Sequence, residues 1–164
     1  MMENQIQKSY QIKPIGSVRE TDHGTCLLID PTYRPALRQV DRFSHVIVFW
    51  WADKHDNEEH RSIMVTDLPY APGISAGVFA CRAEYRPNPI AITICEVLEV
   101  DEDQGIVTIP GIDACNGTPL VDIKPYIPVC DRLRDVRVAE WFGDWPDCVE
   151  EAESYFAQSE LDVS

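Results

Sequence analysis

Residues 43–52, FSHVIVFWWA, constrain the fold more than any other stretch of this chain. The run is almost continuously β-branched and aromatic. That composition suits a strand covered on both faces and suits a helix poorly. Trp50 and Trp51 are adjacent, so a strand points them to opposite sides. His45, at the start of the run, reads as a core or interface histidine. The neighbouring sequence offers further short strands. Residues 10–18 read as the first, with Pro14 at an edge or a strand start, 19–24 as a turn and 25–30 as the second strand. A short helix is expected over 35–40, a charged loop over 53–61, and strands at 62–67 and 76–81. Residues 89–100 alternate best. Ile90, Ile92, Ile94, Leu98 and Val100 share one face, with Glu96 the exception, and Thr93, Cys95 and Glu99 share the other. Residues 101–105 form a hairpin turn, 106–109 the returning strand, and 119–123 are extended. About seven short strands with turns between them predict an all-β barrel or sandwich.

The last third changes character. Asp147 and Glu150 have the spacing of a capping box, and Val149, Ala152, Tyr155 and Phe156 have helical spacing. A helix is expected near 147–157, with a turn or two around 136–142. The chain thus divides into a β domain over 1–135 and a short acidic helical tail over 136–164.

Several functional classes are disfavoured. No glycine-rich dinucleotide loop, Walker loop or nucleophile elbow occurs, which argues against a Rossmann-type enzyme. No apolar run reaches the roughly 18–20 residues of a membrane span, and no apolar segment follows a basic N-terminus, so a cytoplasmic protein without membrane contact is expected. The six cysteines are scattered without a C-x-x-C pair and read as reduced, buried small hydrophobes, with no metal site expected. The net charge of −14 works against a nucleic-acid partner. Much of the acid lies in 101–103 and 144–162, which leaves room for a local basic patch at Arg82, Arg86 and Lys124.

Two proline-held polar loops carry the candidate chemistry, 82–89 and 116–128. Arg82, Arg86 and Asn88 either form a polar site for a carboxylate or phosphate, or tie the loop down through carbonyl bonds. Asp122, Lys124 and Tyr126 alternate, so an extended chain puts an acid, an ammonium and a phenol on one face. They read either as a base, a charge clamp and a stacking group, or as an ion pair on an exposed strand. The turn Asn116-Gly117-Thr118-Pro119 offers backbone N–H groups to a ligand. His55 and His60 read as solvated.

Three strings, DRFSHVIVFWW, GVFACRAEYRPNPIAIT and NGTPLVDIKPYIPVCD, resemble the TsaA-like, TrmO-type family of S-adenosylmethionine-dependent methyltransferases. The combination of R-P-N-P with G-T-P-x-x-D-I-K-P-Y is specific, and the resemblance covers residues 12–131. It implies a small β-barrel and S-adenosyl-L-methionine bound near the interface of a homodimer. It also implies methylation of the exocyclic nitrogen of threonylcarbamoyladenosine in tRNA. Carried over by position, Arg82, Ile92 and the turn Asn116, Gly117, Thr118 and Pro119 would contact the cofactor. Arg86, Asn88, Asp122, Lys124 and Tyr126 would form the catalytic wall, with Asp122 the base. The chain departs from the family in its short first loop, which lacks a P-x-Q motif, and in Ala52-Asp53, where an aromatic-His pair is usual. A small-molecule methyltransferase and a non-catalytic S-adenosylmethionine-binding regulator remain as alternatives.

Overall fold

A computed structural model describes residues 9–22 and 24–161. The chain divides into two compact units that part between Asp131 and Arg132. The first unit holds strands β1 (Gly16–Thr21), β2 (Gly24–Ile29) and β3 (His45–Trp51), a short helix α1 (Glu58–Ser62), and β4 (Val65–Asp67) and β5 (Ser75–Gly77). It continues with β6 (Ile90–Glu96), β7 (Glu99–Asp101), β8 (Ile106–Ile109), β9 (Pro119–Pro125) and α2 (Pro128–Asp131). Seven strands form one antiparallel sheet in the order β6-β3-β9-β1-β2-β8-β7, and β4 and β5 form a separate hairpin. The last strand in sequence therefore lies inside the sheet, third of the seven. It pairs with β1 through Gly16↔Leu120 and with β3 through Val48↔Ile123.

One side of the sheet encloses the core, built from Val18, Leu27, Ile29, Val46, Val48, Trp50, Val107, Ile109 and Leu120. Each such side chain contributes about 1.5–3 kcal/mol of transfer free energy. The strand pattern of 43–52 is confirmed, but its double coverage is not. Val46, Val48 and Trp50 are buried, whereas His45, Ile47, Phe49 and Trp51 are only partly covered. A sheet that encloses a single core leaves the other face outside. The alternation of 89–100 is oriented opposite to a simple core-inward reading. Cys95 points inward, and Ile92 (42% exposed) and Ile94 (37%) point outward.

That segment is also two strands rather than one. Val97 N–H donates to Ser44 O (2.8 Å), and Leu98 N–H donates to Thr108 O (2.9 Å). Consecutive residues thus bond to opposite ends of the sheet order, and the two edge strands β6 and β7 are joined by a corner of two residues. Among the described residues no ladder joins β6 to β7. The sheet is antiparallel and has the expected seven strands, and among the described residues its ladders do not close it into the expected barrel.

Smaller differences have local causes. The first strand starts at Gly16 rather than at residue 10, and Tyr10 and Ile12 are exposed. The expected turn over 19–24 shrinks, because Arg19–Thr21 pair with Gly24–Cys26. The helix expected over 35–40 is two 3-10 turns, Arg34–Leu37 and Val40–Arg42, interrupted by the left-handed Gln39 (φ 69°). The charged segment after β3 is a 3-10 turn, Asp53–His55, followed by α1. Asn57 caps α1 by accepting the His60 N–H (2.9 Å). All six cysteines are free thiols, but Cys115, Cys130 and Cys148 are exposed rather than buried. Burial pushes the Cys95 thiol up to about 11.

The second unit contains 3-10 turns at Glu140–Phe142 and Val149–Glu151 and the helix α3 (Ala152–Leu161). Cys148 rather than Asp147 stands at the cap of the 3-10 turn, and its side chain makes no capping bond. Edge-on aromatic contacts join Phe142 to Trp145 (5.0 Å) and Trp145 to Phe156 (4.9 Å). No helix among the described residues is long and apolar enough to cross a membrane.

Candidate functional site

The register of three strands fixes where the candidate residues meet. Trp51 pairs with Ile90 and Trp50 with Leu120, so the end of β3 lies beside the starts of β6 and β9. Ala52 N–H donates to Pro89 O (2.8 Å). Three segments consequently leave the same end of the sheet: 52–62 after β3, loop 82–89 before β6, and loop 111–118 before β9.

Loop 82–89 separates its two arginines by role. Arg86 turns its fork inward. Nη2 donates to Val78 O (3.0 Å), and Nη1 reaches Cys81 O and Ala83 O (3.5 Å each). This is the carbonyl-tying alternative, and it suits a guanidinium with donors in a fixed plane. Arg82 and Asn88 are exposed, and no hydrogen bond within the described residues engages the Arg82 fork. The turn at 116–119 is held by the fold itself. Gly117, at φ 89°, donates its N–H to Val18 O (2.8 Å), and Thr118 donates to Cys115 O (3.0 Å). Those two N–H groups are therefore occupied and not open to a ligand. Asn116 Oδ1 accepts the Glu20 N–H (3.3 Å), and Pro119 pairs with Ser17.

Asp122, Lys124 and Tyr126 run along β9 away from this end. Lys124 Nζ lies 2.5 Å from Asp122 Oδ2, and Asp122 Oδ1 accepts the Ile123 N–H (3.0 Å). The register sets Asp122, Phe49 and Ile92 in one row across β9, β3 and β6, with Lys124, Ile47 and Ile94 in the next. Lys124 also lies 5.6 Å from the Phe49 ring centroid. Ile92 and Asp122 thus share the outer face, whereas Tyr126 sits at the far end, where its N–H donates to His45 O (3.0 Å). Because the Asp122–Lys124 pair is about half exposed, Asp122→Asn is expected to change folding free energy by less than about 1 kcal/mol in urea titration. A larger loss would mean the pair holds the strand itself.

The segment after β3 contributes residues that sequence reasoning passed over. His55 Nε2 lies 2.8 Å from Glu84 Oε2. The His55 and His60 rings are 5.0 Å apart, and Tyr85 lies 6.3 and 6.2 Å from them. The Tyr85 hydroxyl meets Thr66 Oγ1 (3.0 Å). Arg61 Nη1 donates to Pro87 O (3.1 Å) and Nε to Asp56 Oδ1 (2.5 Å), and its guanidinium covers Trp51. Trp51 Nε1 donates to the other Asp56 oxygen (2.9 Å). The Arg61 and Trp51 hydrogen bonds hold the Asp56 carboxyl below its ordinary range. Its folded pKa is depressed, so its stabilisation is present above the ordinary carboxylate value and is lost as pH falls through the folded one. The Cys115 thiol beside Lys54 raises the lysine, with smaller contributions from Asp53 and Glu84. The histidines are half-buried and paired, not solvated. The missed signal was the Asn57 cap, which starts a helix and brings His60 back over His55.

Among the described residues no group of three or more His, Cys, Asp or Glu side chains is arranged to hold a metal ion.

A probable S-adenosyl-L-methionine-binding protein of Archaeoglobus fulgidus is 34% identical over 116 residues, which is 71% of this chain and 30% of that protein. The tRNA (adenine(37)-N6)-methyltransferase of Escherichia coli is 29% identical over 172 residues, covering 93% of this chain and 72% of that enzyme. The crystal structure of TrmO from Pseudomonas aeruginosa superposes with a TM-score of 0.61 at 25% identity, over 81% of this chain and 63% of that one. The chain therefore spans less than two thirds of the Archaeoglobus and Pseudomonas proteins it matches. The model of the tRNA-methyltransferase O N-terminal domain matches residues 4–132, a span that contains every strand and every loop described above, and the chain belongs to that family.

Proposed function

We propose that this chain is an S-adenosylmethionine-dependent methyltransferase acting on the exocyclic nitrogen of threonylcarbamoyladenosine in tRNA, or on a closely related acceptor. The observation that carries the proposal is the convergence of loops 82–89 and 111–118 at one end of the sheet in a chain of this family. The residues present fit the cofactor. Arg82 offers an open fork to its carboxylate, and the partly exposed Phe49 and Ile92 offer an apolar neighbour to its uncharged parts. When bound, S-adenosylmethionine supplies an electrophilic methyl group on a sulfonium. The chain supplies binding, alignment and a proton acceptor. Methyl transfer is an in-line displacement, so alignment dominates its demands. Asp122 is the acceptor candidate, with Lys124 orienting its carboxylate, and Asn88 and Tyr126 are further candidates for contact with the acceptor. Arg86 serves through the loop it ties rather than by touching the reactants.

The outer face bearing Ile47, Phe49, Ile92 and Ile94 supports a homodimer in which a second copy covers these side chains. Light scattering at micromolar concentration is expected to give twice the monomer mass, and a monomer counts against a shared site. The net charge of −14 favours the second reading, a small-molecule acceptor.

Calorimetric titration tests the cofactor. The full chain is expected to bind S-adenosylmethionine, and Arg82→Ala to weaken binding about tenfold through loss of a charge-assisted contact. No binding by the wild type overturns the methyltransferase reading. Nucleoside mass spectrometry of tRNA from a deletion strain then separates the acceptors. Unchanged methylated threonylcarbamoyladenosine favours the small molecule.

A further inference from the structure

The segment Arg86-Pro87-Asn88-Pro89 cannot hold itself in place. Pro87 and Pro89 have no N–H, so this end of loop 82–89 offers mainly carbonyls, and each needs a donor. The Pro89 carbonyl accepts the Ala52 N–H (2.8 Å), and the Asn88 carbonyl accepts the Ile90 N–H (2.7 Å). The Pro87 carbonyl accepts Arg61 Nη1 (3.1 Å). Of these three donors only Arg61 is a side chain, and it reaches across 26 positions of sequence.

The Arg61 fork is itself fixed. Its Nε donates to Asp56 Oδ1, and the other oxygen of that carboxylate accepts Trp51 Nε1 (2.9 Å). The guanidinium carbon lies 5.6 Å from the Trp51 ring centroid. Trp51 ends β3, and the Asn57 cap starts the helix that carries Arg61, so the set is anchored to the sheet and to α1. Arg86 and Arg61 act on the loop differently. Arg86 bonds the carbonyls of Val78, Cys81 and Ala83, close by in sequence. Arg61 bonds the loop to another part of the chain. The first sets the shape of the loop and the second its placement.

We propose that Arg61 is a positioning residue for the pocket: held by Asp56 and Trp51, it docks loop 82–89 at the end of β3 through the Pro87 carbonyl. The docking places the two exposed side chains of the loop, Arg82 and Asn88. It deepens the cofactor reading and rests on it for its effect on affinity. The Arg61–Asp56 pair is about a third exposed, so it adds little to global stability; its contribution is the direction it gives the fork. Contacts of Tyr85 with Thr66 and of Glu84 with His55 also hold the loop, so loss of Arg61 loosens it without freeing it.

The test uses the full chain and two readouts. With no ligand present, amide exchange at Asn88 and Ile90 is expected to speed up about tenfold in Arg61→Ala, with exchange in the β1–β2 ladder and the urea midpoint close to wild type. Asp56→Asn should act in the same direction, because an amide keeps the carboxylate shape but offers one acceptor oxygen to two donors. Arg61→Lys should not rescue, since an ammonium lacks the fork that meets Asp56 and Pro87 together. The double variant Asp56→Asn/Arg61→Ala should exchange no faster than Arg61→Ala, because both remove one device. In calorimetry with S-adenosylmethionine, Arg61→Ala is expected to weaken binding about fivefold in the wild-type background and less than about twofold in an Arg82→Ala background, where the side chain it positions is gone. Unchanged exchange at Asn88 and Ile90 in both single variants overturns the docking. A rise of equal size in the β1–β2 ladder does so too, since it shows a role in stability alone. An undiminished loss in the Arg82→Ala background overturns the action through Arg82. A wild type that fails to bind the cofactor, with local exchange still faster in the variants, overturns the pocket reading and leaves the docking of the loop standing.

Discussion

Gly16→Ala is expected to lower folding free energy by about 3 kcal/mol, read from the midpoint of urea unfolding. A Cβ at this position would stand 2.1 Å from Leu28 O and 3.0 Å from Leu28 C and Ile29 Cα. All three are backbone atoms of the paired strand, so no rotamer change relieves the clash. Gly16 also pairs with Ile29 on one side and Leu120 on the other. Spreading β1 from β2 therefore disturbs its ladder with β9, the strand that carries Asp122 and Lys124. A loss below about 1 kcal/mol would show that the strands part freely, contrary to the register described.

Arg86→Ala is expected to cost about 2 kcal/mol of stability and to weaken S-adenosylmethionine binding more than tenfold. The fork bonds the carbonyls of Val78, Cys81 and Ala83, two of them at a long 3.5 Å, which keeps the figure below that of three ideal charge-assisted bonds. Arg86→Lys should not restore either property, since an ammonium cannot span three acceptors in one plane. Arg82→Ala is the control: it should weaken binding and leave the urea midpoint unchanged, because Arg82 is exposed. If Arg86→Ala abolishes binding and leaves stability untouched, the residue is a direct ligand contact and the tying role is wrong.

The contrast between these arginines marks where sequence reasoning stopped. The spacing of Arg82, Arg86 and Asn88 announced a polar loop, but the direction of each fork depends on where Val78 and Cys81 place their carbonyls. The strand pattern of 43–52 was legible because β-branched and aromatic residues leave few alternatives. Its one-sided burial was not, since an apolar outer face looks the same in sequence as an apolar inner one. The shared face of Ile92 and Ile94 was legible from the alternation, but its outward direction was not. The segment DKHDNEEHR read as a solvated loop because charge dominates its composition. Its order comes from one capping amide, Asn57, and from partners nearly thirty positions away in loop 82–89. Long-range partners of that kind leave no local periodicity to read.

The interior place of β9 has a consequence for synthesis of the chain. Until residues 119–125 leave the ribosome, the sheet exists only as two pieces: β3 with β6, and β1 with β2, β8 and β7. The corner at Val97–Leu98 tethers these pieces but offers no ladder between them. The nascent protein must therefore wait with a strand-wide slot between two unsatisfied edges, open to any extended peptide that arrives first. The segment that fills it, Pro119–Pro125, begins and ends with proline. Proline lacks the N–H that pairing in the wrong register would use. The prolines that bound the strand also limit where it can dock as the fold closes.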